Sequence, residues 1–143
     1  MKQELDRELF DKYPEFFQGL KISKSITPIA FGFECGDGWF EILDKLMANM
    51  SNYIKSLPKY KKFVVDIVQV KEKFGTLRIY ISEGDDKIYG LIRDAEIESS
   101  KTCEICGAKE NVGRTQGWIV TCCKNCFEEG RTNVQSWKIL DNN

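Results

Sequence analysis

Histidine is absent from this chain of 143 residues. Because imidazole is the commonest general base near neutral pH, its absence excludes Ser-His and Cys-His nucleophilic mechanisms. A zinc site would also have to be built without imidazole, which leaves cysteine as the principal ligand. Proline is scarce, with three residues, and no uninterrupted apolar run is long enough to span a bilayer. The sequence therefore predicts no membrane-spanning helix.

A strong net charge is missing as well, since 21 Lys and Arg nearly balance 22 Asp and Glu. The molecule as a whole has no field that would draw it onto nucleic acid or an anionic membrane. The first residues, MKQELDRE, are too charged for a signal peptide, so we expect a cytoplasmic protein. The remaining composition is that of a globular protein, with 42% hydrophobic and 30% charged residues, which predicts a sizeable core.

Four cysteines near the C-terminus form two C-x-x-C pairs, Cys103 with Cys106 and Cys123 with Cys126. In a cytoplasmic protein, such pairs are typical of metal ligands rather than disulfides. The spacing predicts one structural Zn²⁺ held by four thiolates, which leave no open position for a catalytic water. Cys122 is an alternative third ligand. Cys123 is preferred because it completes a C-x-x-C pair with Cys126.

Hydrophobic periodicity along the chain predicts an α+β fold. Helices are expected over residues 3–13, 39–57 and 87–100. Strands are expected over residues 26–33, 63–70 and 76–82. These strands would form a small antiparallel sheet covered by the helices. We expect two parts, an α+β domain over 1–100 and a zinc-ribbon-like module with a docked tail over 101–143.

Turn chemistry marks several ends of these elements. Asp37 is the expected N-cap of the 39–57 helix, and Asp85 or Asp86 should cap the 87–100 helix. Pro14 should end the first helix. Gly75 should supply a positive φ in the hairpin loop between the last two strands.

The turn before the 39–57 helix could bind a ligand. Asp37 lies between two glycines and is followed by Trp39. Backbone N–H groups and a carboxylate at a helix N-terminus suit an anion or a ligand hydroxyl. A plain capped turn, with Trp39 in the core, would explain the same residues.

The hairpin over residues 71–78 is the second candidate, and it lies in the most basic stretch of the chain. Lys71, Lys73 and Arg78 lie close to Phe74 in the sequence. Cations beside an aromatic ring suit a phosphate with a stacked base or sugar. A solvated hairpin face is the simpler alternative.

One pattern raises the question of enzymatic activity. Asp66, Gln69 and Lys71 loosely resemble the acid-and-lysine arrangement of metal-dependent nucleases. Asp66 and Gln69, however, are an odd number of residues apart and should face opposite sides of a strand. The sequence thus favours a non-enzymatic protein without excluding an enzyme.

Three segments, FGFECGDGW (31–39), QVKEKFGTLR (69–78) and the CEICG–GWIVTCCKNC pair (103–107, 117–126), together resemble a family of small phage-encoded proteins without an assigned activity. The resemblance implies a protein that acts on the host in the host cytoplasm. Small phage proteins that sequester nucleotide-type immune signals use cationic and aromatic pockets, which the residues named above would suit.

Three hypotheses about function follow. The first is a non-enzymatic protein that binds a small anionic, nucleotide-like ligand between the 36–39 turn and the 71–78 hairpin and so counters a host defence. The second is a zinc-ribbon binder of nucleic acid or transcription machinery, using Arg114, Lys124, Arg131 and Trp118. The third is a protein–protein adapter that inhibits a host factor.

Overall fold

The computed structural model describes residues 1–22 and 27–140. Within this part of the chain the α-helices are α1 (Gln3–Lys12), α2 (Gly19–Ile22), α3 (Phe40–Ser56), α4 (Asp86–Ser99) and α5 (Lys124–Glu128). The strands are β1 (Ile67–Lys73), β2 (Thr76–Ile81), β3 (Val112–Thr115), β4 (Thr121–Cys123) and β5 (Trp137–Ile139). β1 and β2 form an antiparallel hairpin, and a second antiparallel sheet has the order β4–β3–β5. The predicted α+β class is confirmed.

The strand predicted over 26–33 is wrong in the described residues, and residue 26 lies outside them. Pro28–Phe31 forms a 3₁₀ turn, which ends at Gly32 with φ +92°. Pro28 has no N–H to donate to a strand ladder, and its fixed φ suits the first position of a helical turn. From the described residues on this side, a single parallel bridge between Glu34 and Lys71 pairs with the hairpin. The sheet of the N-terminal part is therefore two-stranded.

The predicted cap at Asp37 is also wrong. The residue before α3 belongs to a 3₁₀ turn, Asp37–Trp39, whose N-cap position is Gly36 and which has no side-chain cap. The Asp37 carboxylate instead accepts from the backbone N–H of Lys2 at 2.8 Å and pairs with its Nζ at 3.2 Å. Asp37 thus fastens the start of α1 to this turn.

Buried side chains fall into two clusters. The larger is built from the apolar stripe of α3, the inward faces of β1, β2 and α4, and several residues of 9–35. Its largest buried member is Trp39, which is 0% exposed. The smaller cluster contains Val112 and four cysteines of the region 103–126. Because so few apolar residues are buried in it, the smaller cluster needs another source of stability.

The start of α4 is held by Asp85. One carboxylate oxygen accepts from the Ile88 N–H at 3.0 Å and the other from the Tyr53 hydroxyl of α3 at 2.5 Å. Burial alone would raise the pKa of Asp85, but these hydrogen bonds outweigh it and hold the pKa below its ordinary value.

We expect Asp85→Ala to lower the free energy of unfolding by about 1 kcal/mol, and Asp85→Asn by less, since the amide oxygen still accepts from Ile88. Because the folded pKa is depressed, the contribution of ionised Asp85 is fully present above the unfolded pKa. It is lost as the pH falls through the folded pKa. Urea unfolding of the wild type and of Asp85→Ala at about pH 7 and about pH 3 measures how the contribution of Asp85 to stability changes with pH. An Asp85→Ala effect that is equal at both pH values would contradict it.

Among the residues that the structure describes, no helix is both long enough and apolar enough to cross a membrane.

Candidate functional site

The two C-x-x-C pairs meet in space. The sulphur atoms of Cys103, Cys106, Cys123 and Cys126 all lie within 4.8 Å of one another, and those of Cys106 and Cys123 are 3.7 Å apart. Tetrahedral coordination with metal–sulphur bonds of about 2.3 Å gives sulphur–sulphur edges of about 3.8 Å. The same atoms are far beyond the S–S bond length of about 2.05 Å, and all are free thiols. The cluster can therefore hold one metal ion.

Each pair is presented by a tight turn. In the first turn the Gly107 N–H donates to the Cys103 carbonyl at 2.9 Å, and Gly107 has φ +80°. In the second, Cys123 occupies the N-cap position of α5, and its sulphur accepts from the Cys126 N–H at 3.5 Å. These hydrogen bonds hold the backbone of the two turns, and with it the two pairs of sulphur atoms, in place.

Cys122 is not a member of the cluster. Successive residues of a strand face opposite sides, so Cys122 and Cys123 of β4 diverge. Cys122 is 0% exposed, and its carbonyl accepts from the Trp137 indole N–H of β5 at 3.0 Å. The geometry thus brings Cys123, rather than Cys122, to the other three sulphur atoms.

The 36–39 turn packs against the first cysteine pair. The Gly38 N–H donates to the Glu104 carbonyl at 2.8 Å, and the Gly36 N–H donates to the Glu104 carboxylate at 3.0 Å. Burial raises the pKa of this carboxyl group. The Trp39 indole N–H donates to the Thr102 carbonyl at 2.9 Å. Trp39 is expected from the sequence to contact a ligand, but no part of its side chain is exposed, so it is a core residue. Its hydrogen bond to Thr102 joins the two clusters.

The tip of the β1–β2 hairpin packs against the same region. Gly75 has the predicted positive φ, +75°, and its carbonyl accepts from the Thr121 hydroxyl at 2.5 Å. The Thr121 carbonyl in turn accepts from the Glu104 N–H at 2.9 Å. The 31–39 and 69–78 segments therefore both pack against the cysteine-containing segment, and their contacts there are structural.

The basic residues of the hairpin lie on its outer face. Lys71 is directly opposite Arg78, and Lys73 lies over the Phe74 ring at 5.5 Å from its centroid. Phe74 is 67% exposed. Three cavities in the described part of the chain have volumes of about 970, 480 and 120 Å³, and none of these four residues lines them. They form an open basic face rather than a pocket with Asp37 and Trp39.

The residues of the nuclease-like pattern do not converge. The Asp66 carboxylate accepts from the Gly19 N–H at 3.1 Å, whereas the Gln69 side chain donates to Glu34 at 2.7 Å. The two groups are engaged with different parts of the chain. The prediction that they face opposite sides of a strand is wrong, because a bulge between Ile67 and Gln69 interrupts the alternation and both Ile67 and Val70 are buried. The Asp66 and Gln69 side chains do not present a joint set of oxygen ligands for a catalytic metal.

A cavity of about 970 Å³ lies where the end of α4 meets β3 and β5. We call it the α4–β3 pocket. Its lining includes Lys101, Lys109, Arg114, Val112, Ile139 and Leu140. The Arg114 Nε is shielded from solvent and has no hydrogen-bond partner among the described residues. A buried N–H without a partner costs about 1–3 kcal/mol, so this group calls for one.

The charge near Arg114 is unbalanced. Lys138 of β5 lies directly opposite Arg114 of β3. In the described part of the chain, neither cation has a carboxylate oxygen within 4.0 Å. Like charges directly opposite each other in a strand pair are destabilising. An anion placed between them would relieve the repulsion.

Glu98 also lines this pocket, but its charge is compensated. Its carboxylate accepts from Lys109 at 2.7 Å and from Lys45 at 3.1 Å. The hydrogen bond from Lys109 is the main cause of a pKa below the ordinary value. The Thr102 hydroxyl and the Lys101 N–H both donate to the Glu98 carbonyl, which offsets the negative end of α4.

The basic patch considered for nucleic acid is mostly neutralised. Lys124 pairs with Glu128 at 3.6 Å, and Arg131 pairs with Glu129 at 2.7 Å. Of its three cations, Arg114 alone lacks such a pair among the described residues. Lys101 and Lys109 of the pocket had no signal in the sequence, because only the fold brings the end of α4 beside β3.

A second cavity, of about 480 Å³, lies at the junction of the hairpin, the first cysteine pair and the 131–134 segment. We call it the junction pocket. Glu72, Glu104, Ile105, Trp118 and Val120 contribute to its wall.

Comparison of the chain with protein-family models, curated proteins and solved structures gives no match.

Proposed function

We propose that the four-cysteine cluster binds Zn²⁺ and that the ion is structural. An all-thiolate tetrahedral set is typical of zinc sites that stabilise small modules. Cys103, Cys123 and Cys126 are buried, and Cys106 is exposed at the edge of the module. Four protein ligands fill the coordination sphere, so the ion would hold the fold together and leave ligand binding to other residues.

We further propose that the protein is non-enzymatic and binds a small anionic, nucleotide-like ligand in the α4–β3 pocket. The Arg114 guanidinium lines this pocket, and its Nε has no hydrogen-bond partner among the described residues, which is the observation that carries this proposal. Lys138 lies directly opposite Arg114 in the strand pair. Arginine binds phosphate through two parallel N–H···O bonds, which gives both strength and orientation. A phosphate would supply the acceptor that the Arg114 Nε lacks.

The rest of the pocket suits the other parts of a nucleotide. Its apolar residues, Val112, Ile139 and Leu140, offer a surface for a base. Glu110 and Asn111 could accept hydrogen bonds from sugar hydroxyls. Ligand sites of about 300–1,000 Å³ with a few polar groups on an apolar wall are the usual kind for small molecules.

This placement differs from the one that the sequence suggested. The 36–39 turn and the hairpin tip pack against the cysteine module, and their residues do not line the α4–β3 pocket. The proposed ligand is still a small anionic, nucleotide-like molecule, but its proposed site is beside Arg114. The resemblance to phage-encoded proteins supplies the context, in which sequestering a nucleotide signal would counter a host defence.

Calorimetric titration of the zinc-loaded protein with ADP-ribose, cyclic di-AMP and AMP tests the proposal, with adenosine as the ligand that lacks phosphate. We expect at least one phosphorylated probe to bind and adenosine to bind far more weakly. Arg114→Gln should weaken that binding by about tenfold or more, because a charge-assisted hydrogen bond is lost.

Arg93→Gln is the matched control, since Arg93 is exposed on α4 and lines none of the three cavities. It should leave the affinity unchanged. Binding that survives Arg114→Gln but is lost in Arg78→Gln would overturn the pocket and restore the hairpin site. Absence of nucleotide binding, with salt-dependent binding of single-stranded DNA, would favour the nucleic-acid alternative.

A further inference from the structure

The junction pocket has the opposite chemistry to the α4–β3 pocket. Glu72 and Glu104 both contribute to its wall. One carboxylate oxygen of each accepts a hydrogen bond from the protein backbone. Glu72 accepts from the Gly75 N–H at 2.6 Å, and Glu104 accepts from the Gly36 N–H at 3.0 Å. No hydrogen bond to the second oxygen of either group is present among the described residues. Two acceptor oxygens are therefore left for a ligand.

The basic residue at this pocket does not balance the two acids. Arg131 is part of the lining, but its Nε is paired with Glu129 at 2.7 Å. The proposed zinc centre adds negative charge nearby, because four thiolates outweigh the charge of the ion. Ile105 and Glu104, which lie between two of the zinc ligands in sequence, are themselves part of the pocket wall. The electrostatic balance favours a cation.

An aromatic ring completes the pocket. Trp118 is 76% exposed and follows Gly117, whose φ is +82°. A large indole held in solvent at the edge of a cavity is unusual unless it meets a ligand or a partner. Indole is the side chain that attracts cations most strongly through its ring face.

We propose that the junction pocket binds an organic cation, the guanidinium or alkylammonium group of an arginine- or lysine-like ligand. Glu72 and Glu104 would accept its N–H groups, and Trp118 would cover its alkyl chain and charge. A volume of about 480 Å³ is much larger than a dehydrated metal ion needs and suits a side chain with its adjoining backbone. The same group could come from a free amine or from a peptide of a partner protein.

Two matched pairs of probes separate these sources. The first pair is acetyl-Gly-Arg-Gly-amide and its citrulline analogue, which has almost the same shape and no charge. The second is free arginine amide and free citrulline amide. We expect both arginine probes to bind and both citrulline probes to fail. Tighter binding of the tripeptide than of arginine amide would indicate a protein partner, and equal binding would indicate a free amine.

Variants of the full-length, zinc-loaded protein locate the site. Glu72→Gln keeps an oxygen for the Gly75 N–H, so the fold is preserved, and we expect about tenfold weaker binding of the arginine peptide. Trp118→Ala should weaken it by about fivefold. Glu83→Gln removes an exposed carboxylate outside the three cavities and should have no effect.

Three results would overturn the proposal. One is equal binding of the arginine and citrulline peptides, which would show that charge is not recognised. Another is binding that Glu72→Gln and Trp118→Ala leave unchanged. The third is displacement of the peptide by millimolar Mg²⁺ or Ca²⁺, which would make the two carboxylates an inorganic cation site. Arg114→Gln should not alter peptide binding, so failure here is distinct from failure of the nucleotide proposal.

Discussion

Removal of the metal ion is expected to unfold the C-terminal module while the N-terminal core remains folded. Apart from the metal-ligand cysteines Cys103, Cys123 and Cys126, the buried members of the smaller cluster are Val112 and Cys122. Such a small apolar core does not offset the conformational entropy of the chain that it orders. The free energy of binding structural zinc, about 10–16 kcal/mol in zinc-finger peptides, would be the larger contribution. The larger cluster has its own helices and hairpin, so we expect it to stay folded without the ion.

Adjacent cysteines offer a sharp test of this expectation. Cys123→Ser should abolish stoichiometric zinc binding and remove the dispersed amide signals of residues 101–140 from the NMR spectrum. Cys122→Ser should retain one zinc per chain by native mass spectrometry and cost about 1–3 kcal/mol, because it buries a hydroxyl in place of a thiol. Loss of zinc in Cys122→Ser and its retention in Cys123→Ser would contradict the ligand assignment. A folded module in the presence of a chelator would contradict the structural role.

Local patterns predict the parts of this fold that local forces determine. The apolar residues of α3 recur at three- and four-residue steps, and the structure forms that helix over Phe40–Ser56. The sequence predicts Asp85 or Asp86 as the cap of α4, and the Asp85 carboxylate accepts from the Ile88 N–H. The C-x-x-C spacing likewise predicts the metal cluster, because each pair of sulphur atoms is presented by one short turn.

One error has a local cause, and the others arise where distant residues decide the structure. Ile29 and Phe33 are buried, as an apolar strand would require, but Pro28 directs this segment into a 3₁₀ turn. The glycines around Asp37 are typical of an anion-binding turn, and the signal is misleading because their contact is with Glu104, far along the chain. No short window of sequence indicates that contact. The α4–β3 pocket likewise depends on contacts between residues far apart in the sequence.

The contact between Gly38 and the first cysteine turn leads to the second large prediction. A Cβ atom at Gly38 would lie 2.5 Å from the Gly107 backbone nitrogen and closer still to the Cys103 carbonyl oxygen. Real Cβ atoms essentially never approach other atoms within 3.0 Å. Both neighbours are backbone atoms of a turn that the metal would hold in place, so a change of rotamer cannot relieve the overlap.

We therefore expect Gly38→Ala to lower the free energy of unfolding by about 2–3 kcal/mol, as overpacking of a rigid site does. Zinc stoichiometry should remain at one, because no ligand is altered, while the amide signals of Glu104 and Gly107 shift as the turn moves away from α3. Gly90→Ala is the matched control. Gly90 lies within α4, and its added Cβ would meet only the Arg93 side chain, at 3.9 Å. Alanine there should raise stability by about 0.5–1 kcal/mol, since glycine is a poor helix former. The docking contact would be refuted if the two alanine variants unfolded at the same urea concentration.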